Sequence, residues 1–468
     1  MVAFPCSPVQ PASGKPFRSA YDEPAEVAWD DIPAYRRKSE NEDWLPDKGT
    51  GCADMRTGKG TGADSSTDSD SLGQRRTSRI GRRRKISSKA LSFAESVIRQ
   101  MTRMAAQYGA LNLAQGMPDF QAPAKVKDAA VRAIVDDMNQ YEITWGSYAL
   151  RRAIADKALR YNGISCDPET DLTVTCGSTE AMTASIIAIA DPGDEVIVPE
   201  PFYENYTPAT VIAGAKPKHV LLLGPDGKLD EERLKGAFTK RTKAILVNTP
   251  NNPSGRVLTR RELRLIADLC RDYDTLAIAD EIYEYIVYDG RKHVSLASLA
   301  GMLDRTITIS GLSKTYSLTG WRVGYAIANR EITNGIRKVH DFTTVCAPTP
   351  FQRAGVEALN LPRSYYSELA KDYQRRRDLI VRSLRDLGFG LASPEGAYYV
   401  LADFSSISGK DDVSFAGALA KEGKVATVPG SSFYSGGSRG EREVRFSFAR
   451  RDEILREAMG RVKAYLGN

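Results

Sequence analysis

The chain has 468 residues, 42% hydrophobic and 26% charged, with 65 Lys and Arg against 59 Asp and Glu for a net charge of +6. This composition suits a globular protein with a large domain, a smaller one and a tail, and so mild a charge excess calls for no nucleic-acid partner. No long apolar run offers a membrane span, the six cysteines (Cys6, Cys52, Cys166, Cys176, Cys270, Cys346) show no close pairing, and no two of the three histidines (His219, His293, His340) are neighbours, so no disulfide framework, metal site or histidine triad is expected.

Residues 1–88 are rich in Pro, Gly, Ser, Asp and Arg and poor in aliphatic runs, which predicts a disordered extension. Its basic run, Arg75 to Lys85, is read as a solvated linker, with contact to an acidic surface or nucleic acid as the alternative. No apolar core follows an early basic region, and Asp22, Glu23, Glu26, Asp30 and Asp31 argue against a transit peptide, so a cytoplasmic protein is expected.

Order is predicted from about Leu91, with Phe93, Val97 and Met101 at helical spacing. A short apolar run then meets Gly116 and Pro118, where glycine permits close backbone approach to a ligand. Tyr141 precedes a basic helix that begins near Leu150. Leu172–Cys176 reads as a strand, and Gly177-Ser178-Thr179 opens the helix after it. A strand, a glycine turn and hydroxyls at a helix start form an anion site, although plain capping explains them equally when taken alone. The strand Glu195–Val198 leads into Pro199-Glu200-Pro201-Phe202-Tyr203. The strand Lys243–Val247 ends in a Pro- and Gly-rich loop that holds Asn252. Leu276–Ala279 ends in Asp280-Glu281-Ile282-Tyr283, and an acid straight after four apolar residues wants a cationic partner unless it merely caps a helix. Thr306–Ile309 precedes Ser310 to Gly324, which contains Lys314 and Arg322. A lysine where apolar scaffolding ends is a candidate Schiff-base former, and an arginine among small residues suits a phosphate.

Strands alternate with helices, and the polar residues cluster after strand ends, the edge at which open α/β sheets bind ligands. An anion nest, a flat aromatic, an amide, an acid and a lysine followed by an arginine together fit a flat phosphorylated heterocycle that forms an imine, which is pyridoxal phosphate. Here the sequence resembles the class I/II aminotransferases, the aspartate aminotransferase-like group of fold-type I enzymes, nearest the kynurenine and aromatic branch. The motifs are Gly311-Leu312-Ser313-Lys314 through Arg322-Val323-Gly324, Asn252-Pro253 and Asp280-Glu281-Ile282-Tyr283. The resemblance runs from about Ser92 to the end and implies an α/β fold. Its large cofactor domain, 137–340, would hold a mostly parallel seven-stranded sheet. A smaller α+β domain would combine 89–136 with 341–468.

The same resemblance implies roles. Lys314 would carry the cofactor and shuttle the proton. Asp280 would pair with the pyridine nitrogen, and Tyr283 and Asn252 with the ring oxygen. Tyr203 would stack on the ring, and Ser178, Thr179, Arg322 and Ser313 would serve the phosphate. Tyr141 would reach the phosphate of a neighbouring subunit, which implies a homodimer. Arg445, on the alternating stretch Glu443–Phe448, would grip the substrate's α-carboxylate, with Gly116 and Asn252 beside it. Gly311 departs from the serine common at that position, and Ser310 or Ser313 is the expected substitute. The implied activity moves an amino group between an L-amino acid and a 2-oxo acid. Tyr203, Phe120, Phe433 and Trp145 hint at an aromatic or broad donor range. Another reaction of the same cofactor and a cofactor-binding regulator are the rival readings.

Overall fold

The computed structural model describes residues 85–222 and 229–467. The expected disordered extension therefore lies outside the described residues except at its end, and so does the basic run up to Arg84. At that end Ser87 caps a single helical turn, Ser88–Leu91. The described residues from Ala94 onward belong to one compact unit.

The strands in chain order are β1 (Leu111–Asn112), β2 (Leu172–Thr175), β3 (Glu195–Glu200), β4 (Lys216–Leu221), β5 (Thr242–Asn248) and β6 (Leu276–Asp280). After them come β7 (Thr306–Gly311), β8 (Gly324–Ile327), β9 (Tyr399–Asp403), β10 (Val425–Ala426), β11 (Val428–Pro429) and β12 (Glu443–Ser447). Seven of them form one sheet in the order β2-β8-β7-β6-β5-β3-β4. The pairs from β7 through β6, β5 and β3 to β4 are parallel, and β8 runs antiparallel to both its neighbours.

Strand alternation explains why the central runs are apolar throughout. Val196, Val198, Leu246 and Ile278 enter one core with helix Ser178–Ile189. Their neighbours Ile197, Ile245, Val247 and Ala277 enter another with helix Arg260–Asp272. Both faces are thus covered, as a parallel sheet requires, and each Val, Leu or Ile removed from water contributes ~1.5–3 kcal/mol.

A second assembly is built from both ends of the unit. β9, β11 and β12 form an antiparallel sheet, and β1 pairs in parallel with β10. Phe404, Phe415 and Phe446 share its core with Met101 and Met104 of helix Val97–Tyr108. That helix starts later than the apolar spacing suggests, because the Ser96 side chain accepts from the backbone N–H of Arg99 (3.3 Å) and so caps it there. Helices Ala124–Val135 and Thr349–Leu359, placed by sequence in the smaller domain, instead join the core beneath β2 and β8 through Val126, Ala129, Ala354 and Ala358. Their alanine faces allow close approach, so the larger core extends past the boundaries at 136 and 340. No helix among the described residues is long and apolar enough to cross a membrane.

Candidate active site

The ends of β2, β3, β5, β6 and β7 open on one cavity of about 450 Å³, lined by Gly116, Ser178, Thr179, Tyr203, Asn252, Asp280, Tyr283, Ser313, Lys314 and Arg322. Ten of the sequence-predicted positions meet there, although they span more than two hundred residues of chain. Arg445 and Tyr141 do not line it.

Lys314 follows β7, and its half-buried Nζ donates to the backbone oxygen of Gly116 (3.1 Å). Burial, then the nearby Arg322, lowers its pKa to about 8, against the opposing pull of Asp280. Asp280 closes β6 and is buried. Its carboxylate accepts from Tyr206 Oη (2.7 Å) and from the backbone N–H of Ile282 (3.2 Å). Burial raises its pKa, while those two hydrogen bonds and the charge of Lys314 oppose the rise. Such a buried acid stays ionised best when a cation is placed beside it.

The anion cradle rests on glycines. Helix Ser178–Ile189 starts from Gly177 (φ +82°), and no side-chain hydrogen bond caps it. A Cβ on Gly177 would collide with the Arg322 guanidinium, and one on Gly324 would collide with the Gly177–Ser178 peptide. Arg322 reaches back to the backbone oxygens of Thr319 (3.0 Å) and Cys176 (3.4 Å). Uncapped first-turn N–H groups, two hydroxyls and a guanidinium suit a phosphate.

Gly311 pairs with Gly324 in the β7–β8 register, and a Cβ there would lie 2.9 Å from both Gly324 Cα and the Val323 oxygen. The missing hydroxyl is thus a consequence of how closely β8 approaches. Ser310 does not replace it, since its buried hydroxyl donates to Glu284 (3.0 Å), whereas Ser313 lines the cavity.

On the substrate side, Asn252 Oδ1 accepts from Arg445 Nη1 (2.7 Å), which leaves the amide nitrogen of Asn252 to face the cavity as a donor. Arg445 is buried between the rings of Tyr399 (4.3 Å to the centroid) and Phe433 (4.9 Å) and donates to the Ala114 oxygen (2.5 Å). Its Nε has no partner among the described residues. Tyr283 and Tyr399 share a hydroxyl contact at 3.1 Å. Tyr141 is 82% exposed and lies against Cys346–Pro350.

Of the aromatics expected around the cavity, only Tyr203 lines it. Trp145 stacks under Arg337 (4.7 Å), Phe120 packs edge-on to Tyr373 (5.6 Å), and Phe433 lies behind Arg445. For Phe120 and Trp145, nearness to site motifs in sequence did not carry over into space. Sequence reasoning missed Tyr206, Tyr399 and Asn248, whose amide donates to the Asp280 backbone oxygen (3.0 Å). Tyr206 stands three residues after Tyr203, across a turn and at the first position of helix Tyr206–Ile212, and that nearness was the available signal.

Behind Asp280 lies a buried ionic cluster. Lys157 binds Glu284 and also Tyr325 Oη (3.3 Å), and Asn162 donates to Glu284 (2.7 Å). Burial alone would raise the Glu284 carboxyl, but Lys157, then His293, outweigh it and hold the pKa low. Glu281 and His293 complete the set, with carboxylate and ring nitrogen 2.9 Å apart.

A family profile described as aminotransferase class I and II matches residues 108–462. The probable N-succinyldiaminopimelate aminotransferase DapC of Mycobacterium tuberculosis is 38% identical over 381 residues, 79% of this chain and 96% of that protein. The aromatic-amino-acid aminotransferase 2 of Thermococcus litoralis is 37% identical over 76% of this chain and 92% of its own length. The solved structure of N-succinyldiaminopimelate aminotransferase from Mycobacterium tuberculosis superposes with a TM-score of 0.79 at 36% identity, covering 81% of this chain and all of that one.

Proposed function

The chain belongs to the class I and II aminotransferases, and from that premise we propose that it uses pyridoxal phosphate, held in the 450 Å³ cavity, to move amino groups between L-amino acids and 2-oxo acids. The observation that carries the reading is Lys314 with its depressed pKa, set between the buried Asp280 and the Arg322 cradle. When bound, the cofactor supplies an aldehyde that takes up amino groups and a ring that draws electrons from the substrate's α-carbon.

The first-turn N–H groups of helix Ser178–Ile189, the Ser178 and Thr179 hydroxyls and Arg322 would bind the phosphate, with Ser313 beside them. Asp280 would hold a protonated ring nitrogen, and Tyr206, which donates to its carboxylate, fixes that group in place for the task. Tyr203 would offer a flat face to the cofactor ring, and Tyr283 and the Asn252 amide would supply hydrogen-bond donors to it. Lys314 Nζ carries the proton to and from the substrate's α-carbon, and a pKa of about 8 leaves part of it neutral and basic near pH 7. Arg445, with an unpartnered Nε, takes the α-carboxylate beside Gly116 and Asn252 once the Tyr399 ring gives way.

A homodimer is part of the proposal. Tyr141 at 82% and Phe342 at 92% exposure support it, with Tyr141 completing the neighbour's phosphate site. The described cysteines stand free, which fits the reducing cytoplasm.

The test is a panel of amino donors against 2-oxoglutarate and pyruvate, scoring each oxo acid released against each amino acid formed. Equal amounts are expected. Release of ammonia without a new amino acid would replace transamination with another reaction of the same cofactor.

A further inference from the structure

Resting on that reading, we propose that His340, as an imidazolium, is a positioning residue of the phosphate site: it neutralises Glu180 in the first turn of the cradle helix and holds the Tyr141 loop against that helix. His340 is fully buried on helix Arg330–Thr344. Its Nδ1 lies 2.7 Å from Glu180 Oε1, and its Nε2 lies 2.9 Å from the backbone oxygen of Thr144. A carbonyl oxygen only accepts, so Nε2 carries a proton. The Glu180 carboxylate also accepts from the Thr344 hydroxyl and from the backbone N–H of Cys176 (2.5 Å). Burial would raise the Glu180 carboxyl, but the hydrogen bonds from His340 and Thr344 outweigh it and hold the pKa low. An ionised carboxylate only accepts, so Nδ1 carries a proton too and the ring is charged.

The charge matters because of where Glu180 stands. It follows Ser178 and Thr179 in the same first turn, whose N–H groups and hydroxyls would take the phosphate. An unpaired carboxylate there would repel that anion, and a partly buried repulsion is poorly screened. Yet the carboxylate has a task of its own: it fixes the Cys176 N–H, while the Cys176 oxygen accepts from Arg322 (3.4 Å). Pairing with His340 keeps this anchor and cancels its charge. The neighbouring charges on the His340 helix are used otherwise. Arg337 donates to the backbone oxygens of Glu169 (2.8 Å) and Leu172 (2.7 Å). Asp341 accepts from the Thr144 hydroxyl (3.3 Å), so the helix grips Thr144 twice. Thr144 lies just past Tyr141, and the buried ring thus ties its own phosphate helix to the loop that would serve the neighbour's phosphate.

The experiment has two readouts on the full chain. The first is the nuclear magnetic resonance spectrum of protein labelled at the ring nitrogens of its three histidines. His340 should give two ring N–H signals at neutral pH, identified by their persistence in His219→Gln and His293→Gln. A single ring N–H would overturn the charge assignment, and this readout needs no substitution at His340 itself. The second is the binding of pyridoxal phosphate against pyridoxal, which lacks the phosphate. His340→Gln should weaken pyridoxal phosphate about tenfold or more, the worth of one charge-assisted hydrogen bond, and leave pyridoxal unchanged. Adding Glu180→Gln removes the repelling charge and should recover part of the loss. Equal weakening of both aldehydes, or a double variant no better than the single one, would overturn the positioning role. A wild-type protein that binds neither aldehyde would overturn the cofactor reading instead, and the ring signals would still decide the charge of His340.

Discussion

Replacing Lys314 by Met should make the cofactor-free protein more stable at neutral pH. The folded lysine titrates at about 8, against 10.5 for an ordinary one. Below pH 8 both the folded and unfolded chains carry the proton, and only the folded one holds that charge half-buried beside Arg322. The gap corresponds to ~3 kcal/mol of destabilisation at pH 7, at ~1.4 kcal/mol per tenfold change in proton affinity. As pH rises from 8 to 10.5 the folded amine sheds its proton first and the cost fades; above 10.5 both states are neutral and it is gone. Methionine removes the charge with little change of volume but forfeits the hydrogen bond to the Gly116 oxygen, worth ~1 kcal/mol. The expected net gain is ~2 kcal/mol at pH 7 and close to zero at pH 10. Urea denaturation of both proteins without cofactor, at the two pH values, measures it. A variant no more stable than wild type at pH 7, or one whose gain persists undiminished at pH 10, would show that burial does not depress this amine.

Restoring the family's more common residue with Gly311→Ser should weaken the phosphate site. The new Cβ would press on Gly324 and Val323 at 2.9 Å, a cost of ~1–3 kcal/mol in thermal denaturation. Spectral titration with pyridoxal phosphate should show looser binding, and tighter binding would contradict the steric argument. Glu284→Ala leaves the buried ammonium of Lys157 without its carboxylate and should cost ~3–5 kcal/mol in chemical denaturation. Adding Lys157→Met should restore much of that loss. Borohydride treatment of the cofactor-loaded protein should fix the cofactor at Lys314, as read by peptide mass mapping; a label on any other lysine would sink the site assignment.

The sequence by itself determined the alternation of elements and the chemistry at strand ends. The apolar runs at 195–198, 243–247, 276–279 and 306–309 all became strands of one sheet. Asp280 and Lys314 were legible because an ionisable residue at or just past the end of a buried strand has few reasons to be there. Those signals are local, a few residues in a row, so they survive without knowledge of the fold.

Only the tertiary structure decided which distant groups touch. It joined Tyr206 to Asp280 across 74 residues and set Arg445 beneath Tyr399, away from the cavity wall. It sent Phe120 and Trp145 elsewhere, and it drew helices Ala124–Val135 and Thr349–Leu359 into the larger core. It also explained Gly311, whose lack of a side chain reads in sequence as a lost phosphate contact but in space as room for β8. The physical reason is common to these cases. Burial and van der Waals exclusion act between surfaces that the chain brings together only on folding, and no spacing within one segment encodes what lies on the other side.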